Sequence, residues 1–286
     1  MQTIEYYEGM QVKPPMLVLN MPNDVYHSWP NSVSKSGLDL MARSPAHYAY
    51  RELSDSTRAM EIGTAIHTAL LEPERFKADY VLLRDVTDRR SSAYKEATKA
   101  HPSSNVLTGS EADYVSGMQE AVYAHPQARL ALTQEGCTEA SLFVSDPETG
   151  VLVRVRFDLL TESGEAYDLK KCQDARPDVF SRSIYNYGYH IQAAFYQDAY
   201  EWATGKQLSC FKIIAVEERL PHSVMVYRLD DTAIAEGRRE YRDALDLYAA
   251  CVDSDQWPSY LCAEDEIIGL PEWVIRKMEN EMEVTV

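Results

Sequence analysis

The fold is decided by residues 151–171, which read VLVRVRFDLLTESGEAYDLKK. Apolar residues alternate with other residues from Val151 to Phe157, and a period of two is typical of a β-strand with one buried face. The turn signal Glu162-Ser163-Gly164 follows, and after it comes a second run that suits a strand. The stretch therefore predicts a β-hairpin centred on Ser163.

Two carboxylates face each other in this hairpin if the strands pair symmetrically about the turn. Asp158 then lies opposite Asp168, and Lys170 shares the face of Asp168. Cross-strand Cβ atoms are about 5 Å apart, and two like charges at that distance are unfavourable unless one is protonated or a cation binds between them. Paired carboxylates suit Mg²⁺ or Mn²⁺, and an ammonium group nearby can orient or activate a water molecule. The hairpin therefore predicts a metal site.

A simpler interpretation of the same residues stays open at this point. The hairpin could be a solvated one in which Lys170 neutralises an acidic edge. A β-bulge in either strand would also break the symmetric register.

Composition indicates an ordinary soluble protein. The chain has 286 residues, of which 45% are hydrophobic and 26% charged, enough for one large domain or a core domain with helical additions. The start of the chain does not read as a signal peptide, and no run approaches the roughly 20 apolar residues that span a bilayer. Five cysteines without a CxxC pair predict free thiols in a reducing compartment, and hence a cytoplasmic protein without a membrane segment. They are Cys137, Cys172, Cys210, Cys251 and Cys262.

The charge balance restricts how this chain could bind nucleic acid. A formal net charge of −17 opposes broad, non-specific attraction to polyanions. Any such role therefore needs a local basic lining and bound metal, although basic runs are also common on solvated faces. The local basic clusters are Arg84, Arg89, Arg90, Lys95 and Lys99, and then Arg154 and Arg156.

Helical and strand patterns alternate along the rest of the chain. Helices are predicted after Ser34, around Ile62 to Leu70, through Ala97, from Glu111 to Tyr123, from Ile184 to Ala203 and from Thr232 to Val252. Strands are predicted at Tyr80 to Leu83, Ala140 to Val144, Phe211 to Val216 and Ser223 to Tyr227, besides the hairpin. A central sheet with helices before, between and after it predicts a mixed α/β sandwich.

Two helices carry polar residues at a spacing of one turn. Gly63 and His67 share a face of the second helix, where glycine permits a close approach and a neutral imidazole can ligate a divalent cation. A single histidine on a half-apolar helix is, however, more often structural. On the long helix Gln192 and Tyr196 share a face, which could equally be an aromatic surface packed on the sheet.

The order of these motifs resembles a known family. A GxxxH helix, an Asp, an Asp-x-Lys strand and a QxxxY helix follow one another as in the RecB-like branch of the PD-(D/E)xK nucleases. The similarity is greatest to the C-terminal nuclease domain of exodeoxyribonuclease VIII, the phage-type recombination exonuclease. It is carried by VSKSGLDLMARSPAHY, IGTAIHTALLEPERF, DPETGVLVRVRFDLL, YDLKK and YHIQAAFYQDAY. These stretches imply an irregular N-terminal segment over 1–25, a nuclease domain over 26–277 and an acidic tail over 278–286.

The resemblance implies a restriction-endonuclease-like α/β fold and a specific activity. That activity is Mg²⁺-dependent exonucleolytic degradation of linear double-stranded DNA from a 5′ end, with Mn²⁺ able to substitute, leaving a 3′ overhang for recombination by strand annealing. The partners implied are a single-strand annealing protein and further copies of the chain in a ring, a tetramer or trimer. Two alternatives are a structure-specific or single-strand nuclease with the same residues, and a non-catalytic DNA-end or recombinase adaptor.

The resemblance also assigns roles by position. Metal ligation falls to His67, Asp158, Asp168 and the backbone carbonyl of Leu169, and two ions would clamp the scissile phosphate. Lys170 would position or activate the attacking water, while Gln192 and Tyr196 would align the substrate or brace the lysine. The DNA- and phosphate-binding residues implied are Ser34, Ser36, Arg89, Arg90, Arg154 and Arg156, with Glu139 as a possible accessory acid.

Three departures from the family pattern are visible. Asp168 stands where glutamate is commoner, and Lys171 replaces the small hydroxyl residue that often follows the lysine. The cysteine set that holds an iron–sulfur cluster in some relatives is missing, which predicts a protein without that cluster.

Overall fold

A computed structural model describes residues 1–52, 57–102, 105–260 and 267–283, with side chains described as far as Met278. The strands are β1 (Gln2–Glu5), β2 (Met16–Leu19), β3 (Tyr80–Leu83), β4 (Asn105–Thr108), β5 (Gly136–Ser145), β6 (Leu152–Thr161), β7 (Glu165–Cys172), β8 (Cys210–Glu217) and β9 (Val224–Arg228). The first helices are α1 (Asn23–Ser28), α2 (Lys35–Arg43), α3 (Pro45–Ala49), α4 (Arg58–Leu71), α5 (Pro73–Asp79) and α6 (Ser92–Ala100). The later ones are α7 (Gly109–Ala124), α8 (Pro126–Leu132), α9 (Pro177–Asn186), α10 (Tyr189–Thr204), α11 (Asp231–Ser254) and α12 (Glu272–Glu283).

The centre of the molecule is a mixed seven-stranded sheet in the order β1-β2-β5-β6-β7-β8-β9. The consecutive strands β5, β6 and β7 are antiparallel neighbours and form a meander. Strands β7 and β8 pair in parallel, because the chain crosses over the sheet through α9 and α10 between them. The predicted α/β class is therefore confirmed.

Helices cover both faces of this sheet, and the sheet separates the two main hydrophobic cores. The α10-side core includes Phe157, Phe195 and Ile213, and the α4-side core includes Ile66 and Ile214. Consecutive residues of β8 enter opposite cores, so this strand is buried on both faces. That burial explains why residues 213–216 form a continuous apolar run rather than an alternating one.

The N-terminal segment differs from the prediction. Residues 1–25 were expected to be irregular, but they supply β1, β2 and the start of α1. Strand β2 pairs with β5 through Met16 opposite Phe143, and both side chains lie in a third apolar cluster with Tyr26. Four residues are too few to show a strand period, and pairing with β5 is what makes this run a strand.

The long helix predicted from Ile184 to Ala203 is two helices. Helix α9 ends at Asn186, and α10 begins after Gly188, whose φ of +62° lies in the left-handed region. Glycine adopts this conformation readily, so it permits a sharp elbow in an otherwise helical pattern. At the other end Gly205 is a left-handed C-cap.

The C-terminal region also differs from the prediction. The acidic tail proposed for 278–286 overlaps α12, which continues to Glu283, and residues 284–286 lie outside the described residues. Cys137, Cys172, Cys210 and Cys251 are free thiols, while Cys262 lies outside the described residues. In the described part of the chain, no helix combines the length and apolarity needed to span a bilayer.

A buried ion pair joins the meander to α11. Arg242 donates two hydrogen bonds to the carboxylate of Asp146, at 2.9 and 2.7 Å, and Thr149 donates two more, at 3.0 and 2.5 Å. Asp146 is only 1% exposed. Burial by itself would raise the pKa of Asp146, but the hydrogen bonds from Arg242 and Thr149 outweigh it and hold that pKa below its ordinary value.

Replacing Arg242 with leucine should destabilise the fold by about 3 kcal/mol at neutral pH, because Asp146 would keep a buried charge without its partner. Because the folded-state pKa of Asp146 is lowered, its stabilising contribution is present above the unfolded pKa of about 3.9 and is lost as the pH falls through the folded value. The stability difference should therefore shrink at pH 3. Urea unfolding at pH 7 and pH 3 measures both effects.

Arg239 provides the matched control on the same helix. Its guanidinium pairs with Glu236 and Asp243, but the side chain is 59% exposed. Solvent screens such pairs, so Arg239→Leu should leave the unfolding midpoint close to that of the wild type. Equal losses in the two variants would show that the buried Asp146 pair stabilises the fold no more than the exposed pairs of Arg239 do.

Candidate active site

The hairpin that opens the site has the symmetric register predicted from the sequence. Leu159 pairs with Tyr167 and Leu160 with Ala166, both symmetric about Ser163. The pairing of β6 with β7 stops there, one position before Asp158 would meet Asp168. Instead, the Asp158 carboxylate accepts a hydrogen bond of 2.7 Å from the backbone N–H of Leu169. The side chain of Asp158 therefore fills the gap where the two strands part.

A second irregularity lies across the sheet, where Asp158 faces β5. The β5–β6 ladder records Thr138 opposite Leu159 and Ala140 opposite Phe157, but no pair at Glu139 and Asp158 between them. Glu139 has a φ of +48°, in the left-handed region. For a residue with a Cβ this conformation costs of order 1–2 kcal/mol. This strain lies where the pairing of β5 with β6 is interrupted, and there the side chain of Glu139 lies close to His67 and Asp158.

Helix α4 completes a cluster with these two acids. The Nδ1 atom of His67 lies 3.6 Å from Oδ2 of Asp158 and 3.9 Å from Oε1 of Glu139. One ligand atom from each of the three residues lies within 4.8 Å of the others. Gly63, one turn before His67, lines the same cavity of about 320 Å³ and leaves open space beside the imidazole. The predicted role of the GxxxH helix is therefore consistent with the structure.

The electrostatics of the cluster favour a bound cation. Burial, and next the nearby charge of Asp168, raise the pKa of Asp158. Burial and the charge of Asp158 raise the pKa of Glu139 to about 8. Both shifts mean that the two carboxylates are unfavourable together as anions, and a divalent cation between them would relieve that repulsion.

The two distances from His67 fit a small divalent ion as well. Two donor atoms that each lie about 2.1 Å from Mg²⁺ can be at most about 4.2 Å apart. The separations of His67 from Asp158 and Glu139 fall inside this limit. The donor set, one imidazole nitrogen and two carboxylates, is also one that divalent cations accept. The cluster is therefore a candidate divalent metal site.

Asp168 lies beside the cluster and is 3% exposed. Its Oδ1 accepts a hydrogen bond of 2.7 Å from Gln192 on α10. Its Oδ2 forms a close ion pair with Nζ of Lys170, at 2.6 Å. Because a carboxylate oxygen has two lone pairs, this buried oxygen has acceptor capacity left for a further ligand.

Lys170 is held as a cation at the edge of the site. Burial lowers its pKa, but Asp168 and Asp158 outweigh that effect, so the net pKa is raised. A protonated amine donates hydrogen bonds and cannot accept a proton. The ring of Tyr189 lies 5.1 Å from Nζ and covers the lysine from the α10 side.

Comparison with known families decides the classification. A family described as a PDDEXK-like domain of unknown function (DUF3799) matches residues 32–270. The chain belongs to this family. Among curated proteins none matches the chain.

The fold of the PDDEXK-like chain also has counterparts among solved structures. A protein from Eubacterium rectale named a candidate exonuclease has a TM-score of 0.60 at 13% identity, over 91% of this chain and 98% of that one. A phage-related exonuclease from Haemophilus somnus has a TM-score of 0.34 at 12% identity, over 81% and 100% of the two chains. An alkaline exonuclease from Laribacter hongkongensis has a TM-score of 0.28 at 16% identity, over 64% and 96%. At these identities the first similarity shows a shared fold, and the other two are too weak to support an argument.

In this PDDEXK-like chain the candidate metal cluster differs in part from the predicted set of ligands. The structure brings His67 and Asp158 together as predicted, but the third member of the cluster is Glu139, which the sequence suggested only as an accessory acid. Asp168 lies beside the cluster, and the recorded contact of Leu169 there is its N–H group, which holds Asp158. The β5–β6 register places Glu139 opposite Asp158, and that register was not evident from the turn residues between the two strands.

The two side chains of the QxxxY motif on α10 make different contacts. Gln192 donates a hydrogen bond to Asp168, and its alignment of the substrate stays a prediction. Tyr196 is only 8% exposed and packs edge-on against Phe157 and Phe211, so it supports the wall behind the site. The contact with Lys170 expected of Tyr196 is made by Tyr189, because two turns of helix carry Tyr196 deeper into the α10-side core.

Arg154 and Arg156, predicted from the sequence to bind DNA, are held mainly by contacts within the protein. Both are buried, and their guanidinium groups bond to the protein. Arg154 donates to the Ser32 and His27 carbonyls, and Arg156 donates to Ser141 and to the Met21 carbonyl. They brace α1 and its flanking loops against β6. Arg154 also lines the cavity of about 930 Å³ described next, and Arg156 lines the His67 cavity, so their contact with DNA stays a prediction.

Ser34 and Ser36 lie at the N-terminus of α2 in a larger cavity of about 930 Å³. Their hydroxyl oxygens are 3.0 Å apart, and Ser34 makes no side-chain capping bond to its helix. This cavity shares the lining residues Asn23 and Thr64 with the His67 cavity, so the two adjoin.

Arg89 and Arg90 lie elsewhere, on the exposed loop before α6. Arg89 contacts Tyr94, and Arg90 pairs with Asp88. Neither lines the two cavities described above. Their binding to DNA stays a prediction.

Proposed function

We propose that this chain is an Mg²⁺-dependent exodeoxyribonuclease, able to use Mn²⁺, that degrades one strand of linear double-stranded DNA from the 5′ end. The product is a 3′ single-stranded overhang suited to recombination by strand annealing, and an annealing protein would be its partner. One observation carries the proposal: the cluster of His67, Glu139 and Asp158 adjoins the Asp168–Lys170 pair, with the Leu169 N–H as the link.

The residues that would hold the metal follow from the geometry. They are His67, Glu139 and Asp158, together with the buried Oδ2 of Asp168. When bound, divalent metal polarises a phosphodiester and lowers the pKa of a water molecule.

The chain's own residues orient this apparatus. The N–H of Leu169 fixes the carboxylate of Asp158, and the amide of Gln192 fixes that of Asp168. Held carboxylates need no rearrangement when the substrate arrives, which is the benefit of preorganisation. The ammonium group of Lys170 can donate a hydrogen bond to an attacking water or to a phosphate oxygen.

The adjoining cavity suits the phosphate at a DNA end. The N-terminus of α2 has backbone N–H groups without helical partners, and the hydroxyls of Ser34 and Ser36 lie beside it. Such a terminus favours anions. Binding of a 5′-terminal phosphate here would leave the following nucleotides to extend toward the His67 cavity, since the two cavities adjoin.

A ring of three or four copies would explain how an acidic chain stays on DNA. With a net charge of −17 the whole field repels a polyanion, so enclosure has to replace attraction. Light scattering of the active enzyme should give a trimer or tetramer mass. A monomer mass at all active concentrations would exclude the ring.

Cleavage of defined DNA ends tests the activity. Linear duplex labelled at the 5′ or 3′ terminus should release the 5′ label as small products first, with Mg²⁺ and not with EDTA, and closed circular duplex should stay intact. Cutting of circles or a preference for single strands would instead indicate a structure-specific or single-strand nuclease. Binding of ends without any cleavage would indicate a DNA-end adaptor.

A further inference from the structure

The elbow between α9 and α10 is fixed in place beside the candidate site. Gly188 turns the chain with a φ of +62°. The amine of Lys35 donates a hydrogen bond of 2.9 Å to the carbonyl of Tyr187 and pairs with Asp39 at 2.9 Å. These contacts tie the elbow to the first turn of α2. The elbow is therefore a preorganised feature of the fold.

This elbow displays tyrosine rings to solvent. Tyr187 is 64% exposed and Tyr185 is 71% exposed. The ring of Tyr187 lies 5.7 Å from that of Tyr189 at an angle of 30°, so one of its faces is backed by a half-buried neighbour. Tyr189 in turn covers Lys170 at 5.1 Å. Two ring contacts thus connect the amine of the candidate site to an exposed aromatic surface.

A stacked ring of this kind suits a nucleobase. Aromatic rings stack at separations of about 4.5–7 Å, and every base offers a π-face whatever its identity. Stacking does not require a positive surface, which matters for a chain with a net charge of −17. Continuity with Lys170 favours a base of the strand being cut over a partner protein, because Tyr189 is common to the site and the stack.

We propose that Tyr187, backed by Tyr189, is a stacking platform for the unpaired nucleobase next to the scissile phosphate. This rests on the proposed function, since it assumes a DNA end at Lys170. The platform would hold the frayed end of a duplex open independently of sequence. Tyr187 is therefore a substrate-positioning residue that the motifs of the family do not include.

Fluorescence of a base analogue tests the platform without cleavage. The probe is linear duplex with 2-aminopurine at the 5′-terminal nucleotide, and the protein is titrated into it. The buffer contains Ca²⁺ in place of Mg²⁺, because a larger ion with looser coordination should neutralise the acids without supporting hydrolysis. Tyr187→Ala should lose the quenching of the analogue and bind about 5- to 150-fold more weakly, the range expected for one stacked base. Tyr187→Phe should restore both signals.

Two controls separate the outcomes. Tyr7→Ala removes another exposed tyrosine, outside the site, and should behave as the wild type. Closed circular duplex, which has no free end, should bind equally to the wild type and Tyr187→Ala. If Tyr187→Ala kept the quenching and the affinity of the wild type, the platform would be overturned. Unchanged quenching by Tyr187→Ala together with a changed mass in light scattering would also overturn it, because the surface would then be a contact between copies of the chain. A wild type that binds no linear duplex would instead overturn the proposed function.

Discussion

Replacing Asp158 with alanine should abolish Mg²⁺ binding in calorimetry and lower DNA cleavage by at least about a thousandfold. Asp158 lies at the centre of the site, with His67 at 3.6 Å and the N–H of Leu169 at 2.7 Å. A metal ion in such a site contributes several kcal/mol to transition-state stabilisation, and about 4 kcal/mol corresponds to a thousandfold.

A substitution of Asp158 that lowers activity should nevertheless raise the stability of the metal-free protein. In EDTA, Asp158→Asn should unfold at a higher urea concentration than the wild type, because it removes the repulsion from Glu139 and Asp168 but keeps an oxygen that can accept from Leu169. The matched control is Asp253→Ala, which removes an exposed acid of α11 and should change neither quantity. Unchanged Mg²⁺ affinity in Asp158→Ala would remove Asp158 from the metal site.

Replacing Lys170 with alanine should lower the turnover of DNA by two to four orders of magnitude, about the scale for proton-transfer or positioning groups. Mg²⁺ affinity should be kept or increased, because a positive charge next to Asp168 is removed. Single-turnover cleavage and calorimetry on the same preparation measure the two quantities. The combination distinguishes a residue that acts on water or phosphate from one that only holds the metal site together.

Lys171 is the matched control, since it is the next residue of β7 and pairs with Glu218 at 3.0 Å. Successive side chains of a strand point to opposite faces, so Lys171→Ala should cleave DNA at close to the wild-type rate. Undiminished cleavage by Lys170→Ala, or equal losses in the two variants, would exclude a specific role for Lys170.

The elements of the fold were predictable where the local pattern is strong. The hairpin register about Ser163 and the helix after Ser34 follow from periodicity and turn chemistry, and the structure has both. Strand β2 and the elbow at Gly188 were not predictable in the same way. Each depends on a partner distant in sequence, β5 for the strand and Lys35 of α2 beside the elbow.

The candidate site was likewise predictable only in part. Residue types and order along the chain were enough to select His67, Asp158, Asp168, Lys170 and Gln192. They did not show that Glu139 joins the cluster while Tyr196 is buried behind it. Glu139 joins because a left-handed residue and an interrupted ladder redirect its side chain, and the surrounding sheet maintains that strain.

The sequence by itself determined the fold class and the chemical groups of the site, because alternation, turn residues and motif order are properties of neighbours along the chain. Only the tertiary structure decided which groups meet. Arg154 and Arg156 are drawn into the protein by the carbonyls around α1, and Tyr189 covers Lys170 because α10 begins just after Gly188. Contacts of this kind depend on how strands and helices pack in three dimensions, and spacing along the chain does not encode that packing locally.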